Sequence, residues 1–590
     1  MTSGLSDTRA AAPTAASTPP PAVRGGTSVD AAVLFATARA GDGGPAALLP
    51  WEDGTLLGRL VGQLAALGVP RTIVVTRPAW EADVRAAGAP AEVVASPDVQ
   101  SDLRAVTELA RTTGGGGLVA MYGDIACHRE ALAGLLADPR VTTGVLTSAR
   151  ARAMVFRIRA RRGRVLSAGS AYHAVHRPTT TFLGVLKVAP ADLPALIAAA
   201  EHLAPLSADP PKAWLQELER KKASWRLRLA AGAEVDETAE TTEQETETST
   251  PAEAEGVVLA PEDEERLRNR LDTAPDDAVA LLLVGLVRGG AQLGVSQLRR
   301  LYWSRPLTAA GAAEAEREIA EIDEDRVLLD SAVKGSDGFF TTFFVSPYSR
   351  YIARWAARRG MTPNQVTTIS VLIGLVASIA FATGERWGLI AGAILLQLSF
   401  TTDCVDGQLA RYTRQFSKLG AWLDSVFDRT KEYMAFAGLA IGASQMGDPV
   451  WLLACAAITA QTVRHMSDFS FGGAQQQAIG ATPQPPVEQG FDAAGAAAEA
   501  RRRAGQDDAP KPEAQRSAAD RVLGAWRKLD RAPGVRWIKK MIHFPIGERF
   551  ALISITAALF TPRVTFTALL VWAAVAGLYT QAGRVLRSLR

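Results

Sequence analysis

Six long apolar segments crowd into roughly the last 230 positions of this 590-residue chain, at about 367–384, 387–405, 419–444, 449–466, 547–562 and 564–583. Most approach the ~20 residues that cross a bilayer's hydrocarbon core. In that medium every backbone polar group must be satisfied internally, so such segments are helices. The expectation is an all-α, six-helix transmembrane domain over residues 337–590. Arg350, Arg354, Arg358 and Arg359 precede the first segment, Arg411, Arg414 and Lys418 lie between the second and third, and Arg584, Arg587 and Arg590 close the chain. The opposite loops, near Gly384–Arg386, Gly447–Asp448 and Pro562–Arg563, carry few charges. This bias places both termini and the 2–3 loop in the cytoplasm, in a multi-pass protein of the cytoplasmic (inner) membrane. Residues 472–519, rich in Gln, Ala and Pro, read as a disordered cytoplasmic insertion.

The preceding half has a different pattern. Residues 1–29 read as a disordered tail without a secretory apolar core. Residues 30–230 alternate short apolar runs (31–36, 72–76, 117–122) with helical patterns such as Leu56–Leu67. That alternation predicts a Rossmann-like α/β domain with a parallel sheet, able to fold alone. Residues 231–260 form an acidic linker, and 261–336 a helical, soluble or juxtamembrane region. Within it, Leu298–Trp303 mixes basic and aromatic residues, which suits either a headgroup surface or a buried helix edge. The net charge of +3 gives no support to nucleic-acid binding. Three dispersed cysteines, Cys127, Cys404 and Cys455, exclude a disulfide scaffold and a cysteine zinc site.

Four carboxylates lie where membrane helices should have none. Asp403 and Asp406 are three apart and Asp424 and Asp428 four apart, so each pair shares a helix face. A short basic loop joins the two helices and aims the pairs at each other. Charged groups are costly inside a bilayer and mark a functional cavity. Four uncompensated negative charges do not pack together, whereas hard divalent cations, Mg²⁺ or Mn²⁺, resolve the repulsion. Two such ions could clamp a diphosphate. Gly407 leaves room against the backbone, Ala410 keeps that face narrow, Arg411 offers a planar cation for phosphate, and Gly420 permits close helix approach.

Asp403-x2-Asp406-Gly407-x2-Ala410-Arg411-x8-Gly420-x3-Asp424-x3-Asp428 resembles the signature of the CDP-alcohol phosphotransferase (phosphatidyltransferase) family at every fixed position. Thr362-Pro363-Asn364-Gln365-Val366-Thr367 is similar to the stretch that opens the family's first membrane helix. The resemblance implies transfer of a substituted phosphoryl group from a CDP-alcohol to an acceptor hydroxyl, with release of CMP, at a cytoplasm-facing site and usually in a homodimer. It implies that Asp403, Asp406 and Asp424 bind metal, and that Asp428 binds metal or acts as general base. Asp403, Gly407, Ala410, Arg411 and Gly420 would line the cytidine diphosphate pocket. Arg414, Lys418, Arg429, Lys539, Lys540 and Arg549 are candidates for holding a phosphorylated acceptor, set against the ordinary cytoplasmic bias of basic residues.

Residues 30–230 more weakly resemble sugar-nucleotide-type nucleotidyltransferases. Leu48-Leu49-Pro50 fits that family's opening, and Asp124 in Tyr122-Gly123-Asp124 stands where those enzymes place a metal-binding Asp. Residues 35–45 lack a clean Gly-x-Gly-x-Arg loop, and Ala46 replaces the usual Lys, which weakens triphosphate binding. The fusion resembles bifunctional enzymes that make CDP-inositol and then transfer inositol phosphate. Asp337-Gly338, Ser349-Arg350 and Ile546-Gly547-Glu548-Arg549 fit that branch. The competing classes are an inactive membrane scaffold or sensor, and a bifunctional enzyme whose N-terminal half makes the CDP-alcohol.

Overall fold

The computed structural model describes residues 29–87, 91–149, 156–173, 175–208, 278–334, 337–480, 484–489 and 533–588. The expected tail (1–28) and acidic linker (231–260) lie outside these residues, as does most of the 472–519 insertion.

The N-terminal α/β unit is built on a nine-stranded sheet. Its strands are β1 (Val29–Ala36), β2 (Arg71–Thr76), β3 (Glu92–Ala95), β4 (Gly117–Tyr122), β5 (Gly144–Ser148), β6 (Arg157–Arg161), β7 (Arg164–Ala168), β8 (Thr180–Val188) and β9 (Gly294–Gln297). They are ordered β3-β2-β1-β4-β8-β5-β9-β7-β6. β3, β2, β1 and β4 run parallel, as the alternation with helices requires. The remainder departs from the expected parallel sheet, because β8 pairs antiparallel with both β4 and β5. β1 and β4 are apolar along almost their whole length because helices cover both faces. Among those helices are α1 (Leu56–Ala66), α2 (Val99–Thr112), α3 (Arg129–Leu136) and α4 (Leu193–Ser207). Thr55 and Asp98 cap α1 and α2 by accepting from Gly58 and Ser101 amides.

The sheet overrides the expected boundary at residue 230. β9 comes from the region read as helical, and α5 (Ala278–Arg288) packs with α4 in the same core. Residues Ala278 to Val287 are all buried, which explains a run that is apolar around the whole helix yet too short to span a bilayer. Leu298–Trp303 is not part of a helix, and its apolar ends pack into the α/β unit while Arg299 and Arg300 stay exposed. Leu298 and Trp303 are buried, and Trp303 forms a short strand against Cys127 and donates its indole N–H to the Leu183 carbonyl. Two helices follow, α6 (Ala309–Glu321) and α7 (Glu324–Ala332).

The C-terminal part is helical. It comprises α8 (Ser346–Arg358), α9 (Pro363–Ala382), α10 (Arg386–Thr413), α11 (Lys418–Gln445), α12 (Trp451–Gly480), α13 (Pro533–Ile542), α14 (Ile546–Leu559) and α15 (Pro562–Ser588). The six apolar segments fall on α9 to α12, α14 and α15. Among the described residues, only α9, α10 and α15 are long and apolar enough to cross a membrane by length and composition. α11 carries Asp424, Asp428, Arg429, Lys431 and Glu432, α12 turns polar in its second half, and α14 has 14 residues. The insertion also differs from expectation at its start. α12 stays helical to Gly480, and residues 484–489 rest on the α/β unit. There His173 contacts the Val487 carbonyl at 3.0 Å, and Arg288 donates to the Pro486 and Gln489 carbonyls.

A fragment ending at residue 230 therefore lacks a core helix and a sheet strand. We expect it to aggregate or melt without cooperativity, whereas a fragment extended to residue 305 gives a monodisperse, cooperatively melting protein. Size-exclusion chromatography and thermal denaturation of the two fragments check this. Equal behaviour would show that α5 and β9 are dispensable.

Candidate active site

The acidic residues project from α10 and α11 where both pack on α9. α9 starts with a reciprocal capping box. The Thr362 hydroxyl accepts from the Gln365 amide, the Gln365 side chain accepts from the Thr362 amide, and Pro363 occupies the first helical turn. That start sets the rotation of α9, so Thr367 and Ser370, three apart, face α10. Two small-residue positions let the helices close. A Cβ on Gly374 would lie 3.1 Å from both Lys431 Cγ and Ser399 Oγ, and Gly438 packs directly on the Ser378 backbone.

Asp403, Asp406 and Asp424 each present an oxygen within 4.8 Å of the other two. Asp403 and Asp406 are buried, and Asp424 and Asp428 are half-buried. Thr367 Oγ1 lies 2.6 Å from Asp406 Oδ2 and donates to it. Ser370 Oγ donates to Asp403 Oδ1 at 3.4 Å. Lys431, fully buried on α11, donates to the Asp403 carboxylate and, at 3.2 Å, to Ser370 Oγ. Its ammonium is also 3.4 Å from Asp428 Oδ1, close enough for ion pairing but not aligned as a hydrogen bond. That Asp428 oxygen is buried without a hydrogen-bond partner.

The sequence singles out the four acids but misses Lys431, Thr367 and Ser370. A signal for Lys431 is present: it stands three residues after Asp428 in an apolar helix, on the same face. With all groups ionised, four aspartates and one lysine leave a formal charge of −3. Three converging carboxylates with an unpartnered buried carboxylate oxygen on Asp428 fit hard divalent cations such as Mg²⁺ or Mn²⁺. Asp403, Asp406 and Asp424 form the converging set, and Asp428 stands beside it, next to Lys431.

The remaining signature residues lie at the same end of the helices. Arg411 Nε donates to the Ala332 carbonyl, and the guanidinium folds over Gly407, where a Cβ would come within 3.2 Å of it. Ala410 is half-buried on the same turn. Gly420 follows the Ser417 cap of α11, and a Cβ there would sit 2.9 Å from Asn364 Oδ1.

The candidate acceptor residues divide. Arg414, left-handed at the end of α10, pairs with Glu130 of the α/β unit and donates to its carbonyl at 2.9 Å. Arg549 makes a buried two-point pair with Glu432 at 2.8 and 3.0 Å. Lys540 donates to the Asp337 carbonyl at 2.9 Å. These three make structural contacts, although Arg414 Nη1 is buried without a hydrogen-bond partner. Arg429 bonds Ser425 Oγ at 2.9 Å, one turn back on its own helix. Lys418 opens α11, and Lys539 lies in the last turn of α13 beside Lys540. Two further basic groups, missed in the sequence, are Arg464 and His465 on α12, whose Nη1 and Nε2 are buried without partners.

In the α/β unit, Asp124 is buried after β4, with one carboxylate oxygen, Oδ1, lacking a hydrogen-bond partner and the other paired with an arginine. Arg305 Nε donates to its Oδ2 at 2.9 Å and stacks 3.7 Å over the Tyr122 ring. A guanidinium thus takes the place next to this carboxylate. Ala46 is buried in a short 3-10 turn and offers no charge.

Two substitutions probe these contacts. Arg549→Ala strands a buried Glu432 carboxylate and should cost about 3–5 kcal/mol, read as a loss of thermal stability in detergent. Lys431→Met takes the cluster from −3 to −4. Its melting temperature should fall more than that of the wild type when a chelator is added, and recover with Mg²⁺. An equal response of both proteins to the chelator would contradict a shared charge cluster.

Comparison with known proteins agrees with this geometry. Residues 360–480 match the CDP-alcohol phosphatidyltransferase family. A bifunctional IPC transferase and DIPP synthase of Thermococcus kodakarensis is 33% identical over 127 residues, 21% of this chain and 28% of that protein. An archaetidylinositol phosphate synthase of Pyrococcus horikoshii is 40% identical over 101 residues, 17% of this chain and 52% of that protein. The chain thus spans between about a quarter and a half of the length of these relatives. Among solved structures, the inositol-1-phosphate CTP transferase from T. maritima aligns over 50% of this chain and 97% of its own length, at 11% identity and a TM-score of 0.32. The C-terminal region of this chain carries a CDP-alcohol phosphatidyltransferase domain.

Proposed function

We propose that the chain is an integral membrane transferase that moves a substituted phosphoryl group from a CDP-alcohol to an acceptor hydroxyl and releases CMP. The observation that carries this reading is the convergence of Asp403, Asp406 and Asp424 with Asp428 beside them. Asp403, Asp406 and Asp424 would hold Mg²⁺ or Mn²⁺, as two ions with Asp428 completing the set, and the metal would offset charge on the diphosphate. Gly407 and Ala410 keep the donor side of α10 low, and Gly420 does so on α11. Arg411, held by Ala332, presents its guanidinium to donor phosphate oxygens.

Asp428 is the proton acceptor in this reading. Its unpartnered Oδ1 takes the proton of the attacking hydroxyl as the new O–P bond forms and the P–O bond to CMP breaks. Lys431 positions the carboxylates of Asp403 and Asp428 and lets the two acids approach. Positioning and electrostatics suffice for this transfer, with no covalent enzyme intermediate. The names of the relatives support an inositol-phosphate type of substrate. For a phosphorylated acceptor, Arg429, Arg464 and His465 are the better-placed basic groups, and Lys418 and Lys539 stay candidates by position. The enzyme would work from the cytoplasmic face of the inner membrane, with both termini on that face, as a homodimer, in polar-lipid or phosphodiester synthesis.

The α/β unit, on this reading, binds a nucleotide or organises the membrane part instead of making the CDP-alcohol. The Arg305 pair on Asp124 and the neutral Ala46 support that choice over the bifunctional one. Pyrophosphate release from CTP and inositol phosphate by the full chain would reverse it.

Full-length protein in detergent, given a CDP-alcohol and an acceptor, should release CMP only with Mg²⁺ or Mn²⁺. Asp428→Asn should lower turnover about 100- to 10,000-fold while donor affinity is largely kept. Asp406→Asn should weaken metal and donor binding together. CMP release in excess chelator would contradict the metal assignment, and near-normal turnover of Asp428→Asn would remove the base.

A further inference from the structure

A cavity of about 550 Å³ opens where the soluble and membrane parts meet, and none of the four aspartates lines it. Its wall takes Arg299 and Arg300 from the α/β unit, Asp330 from α7, and Thr342, Ser346 and Arg350 from the start of the membrane part. The volume lies within the range of small-molecule sites.

Three features make it a built site for an anion. First, its charge is unbalanced: three arginines face one carboxylate. Arg350 pairs with Asp330 at 2.5 Å, and Arg300 lies 3.7 Å from the same group. Arg299 has no carboxylate within ion-pair distance among the described residues and donates only to the Ser331 carbonyl. Second, Ser346 is 4% exposed, lines the cavity, and its Oγ has no hydrogen-bond partner, and Arg350 Nε is likewise buried and unsatisfied. Such groups are costly unless something completes them. Third, Thr342 belongs to a π-helical turn, Thr341–Val345, that interrupts the entry into α8. Turns of this kind are rare and concentrate at functional positions.

We infer that this cavity binds a phosphate group through Arg299, Arg350 and the Ser346 hydroxyl, with Asp330 as the competing internal anion. Guanidinium forks and hydroxyl donors match phosphate oxygens, and a neutral ligand would leave the surplus charge in place. The phosphate is that of a soluble phosphomonoester or of an anionic lipid headgroup. The neighbouring helix suits both sources. α8 exposes Tyr348, Tyr351, Ile352 and Trp355 on one side, and Arg350 and Ser349 turn to the protein. Such a helix rests at headgroup depth, level with the cytoplasmic solution. The inference does not rest on the transferase reading, and its test uses binding and not CMP release.

The test uses the purified full chain in an uncharged maltoside detergent. One arm titrates inorganic phosphate calorimetrically. The other measures by native mass spectrometry how much dioleoylphosphatidylglycerol or dioleoylphosphatidylcholine is retained from nanodiscs. Arg299→Gln should weaken binding at least about tenfold, the loss of one charge-assisted contact. Asp330→Asn should have the opposite sign and tighten it, because Arg350 and Arg300 are released. Ser346→Ala, which removes one oxygen, replaces Arg299→Gln if that variant fails to fold, and Arg317→Gln on exposed α6 is the charge control. Effects confined to inorganic phosphate identify a soluble ligand, and effects on retained phosphatidylglycerol identify a headgroup. No binding in either arm, or binding equal in the wild type, Arg299→Gln and Asp330→Asn, overturns the inference.

Discussion

Four aspartates on two neighbouring helices, facing one buried lysine, set the terms for the rest of the membrane part. Two like charges 4 Å apart repel by about 4 kcal/mol at the effective dielectric of a protein surface, and more in a drier interior. Lys431 reaches two of the four carboxylates, and Thr367 and Ser370 donate to two. The lysine stem needs space, which Gly374 leaves on α9, and α9 can approach because Gly438 packs on its backbone. Helix register, glycine placement and polar side chains on α9 all follow from holding these acids together. What they leave is negative charge without a protein cation, the condition a divalent ion satisfies.

The second arrangement joins the two halves. The loop after α10 is pinned by Arg414 on Glu130, and Arg140 of the α/β unit stacks 3.9 Å over Phe416. α7 adds its own links: Asp325 pairs with Arg354 at 2.6 Å and accepts from Tyr412, and the Ala332 carbonyl holds Arg411. Arg411 is therefore positioned by the segment between the halves. This gives the α/β unit a physical link to the membrane site.

Much of this was legible in the sequence because it is local. Asp403, Asp406, Asp424 and Asp428 are read from i,i+3 and i,i+4 spacing, and the Thr362 cap and the strands at 31–36, 72–76 and 117–122 from pattern alone. What failed depends on distant partners. Arg414 and Arg549 look like ligand-binding cations until Glu130 and Glu432 are seen opposite them. The partner of Asp124 Oδ2, Arg305, lies 181 residues later and is invisible to local pattern. α5 and β9 read as a separate helical region because a sheet can recruit a strand across a long intervening segment. Of the six apolar segments, three lie on helices that are long and apolar enough to span a membrane among the described residues, because apolar length does not register the charges within α11.

The central claim is that the carboxylates of α10 and α11 form one cation site. Titration of the purified full chain with Mn²⁺, followed by electron paramagnetic resonance of free and bound ion, tests it most directly. The account predicts saturable binding that is lost in Asp403→Asn, Asp406→Asn and Asp424→Asn alike, and retained in Asp124→Asn. Binding that survives those three substitutions, or that disappears with Asp124, would contradict it.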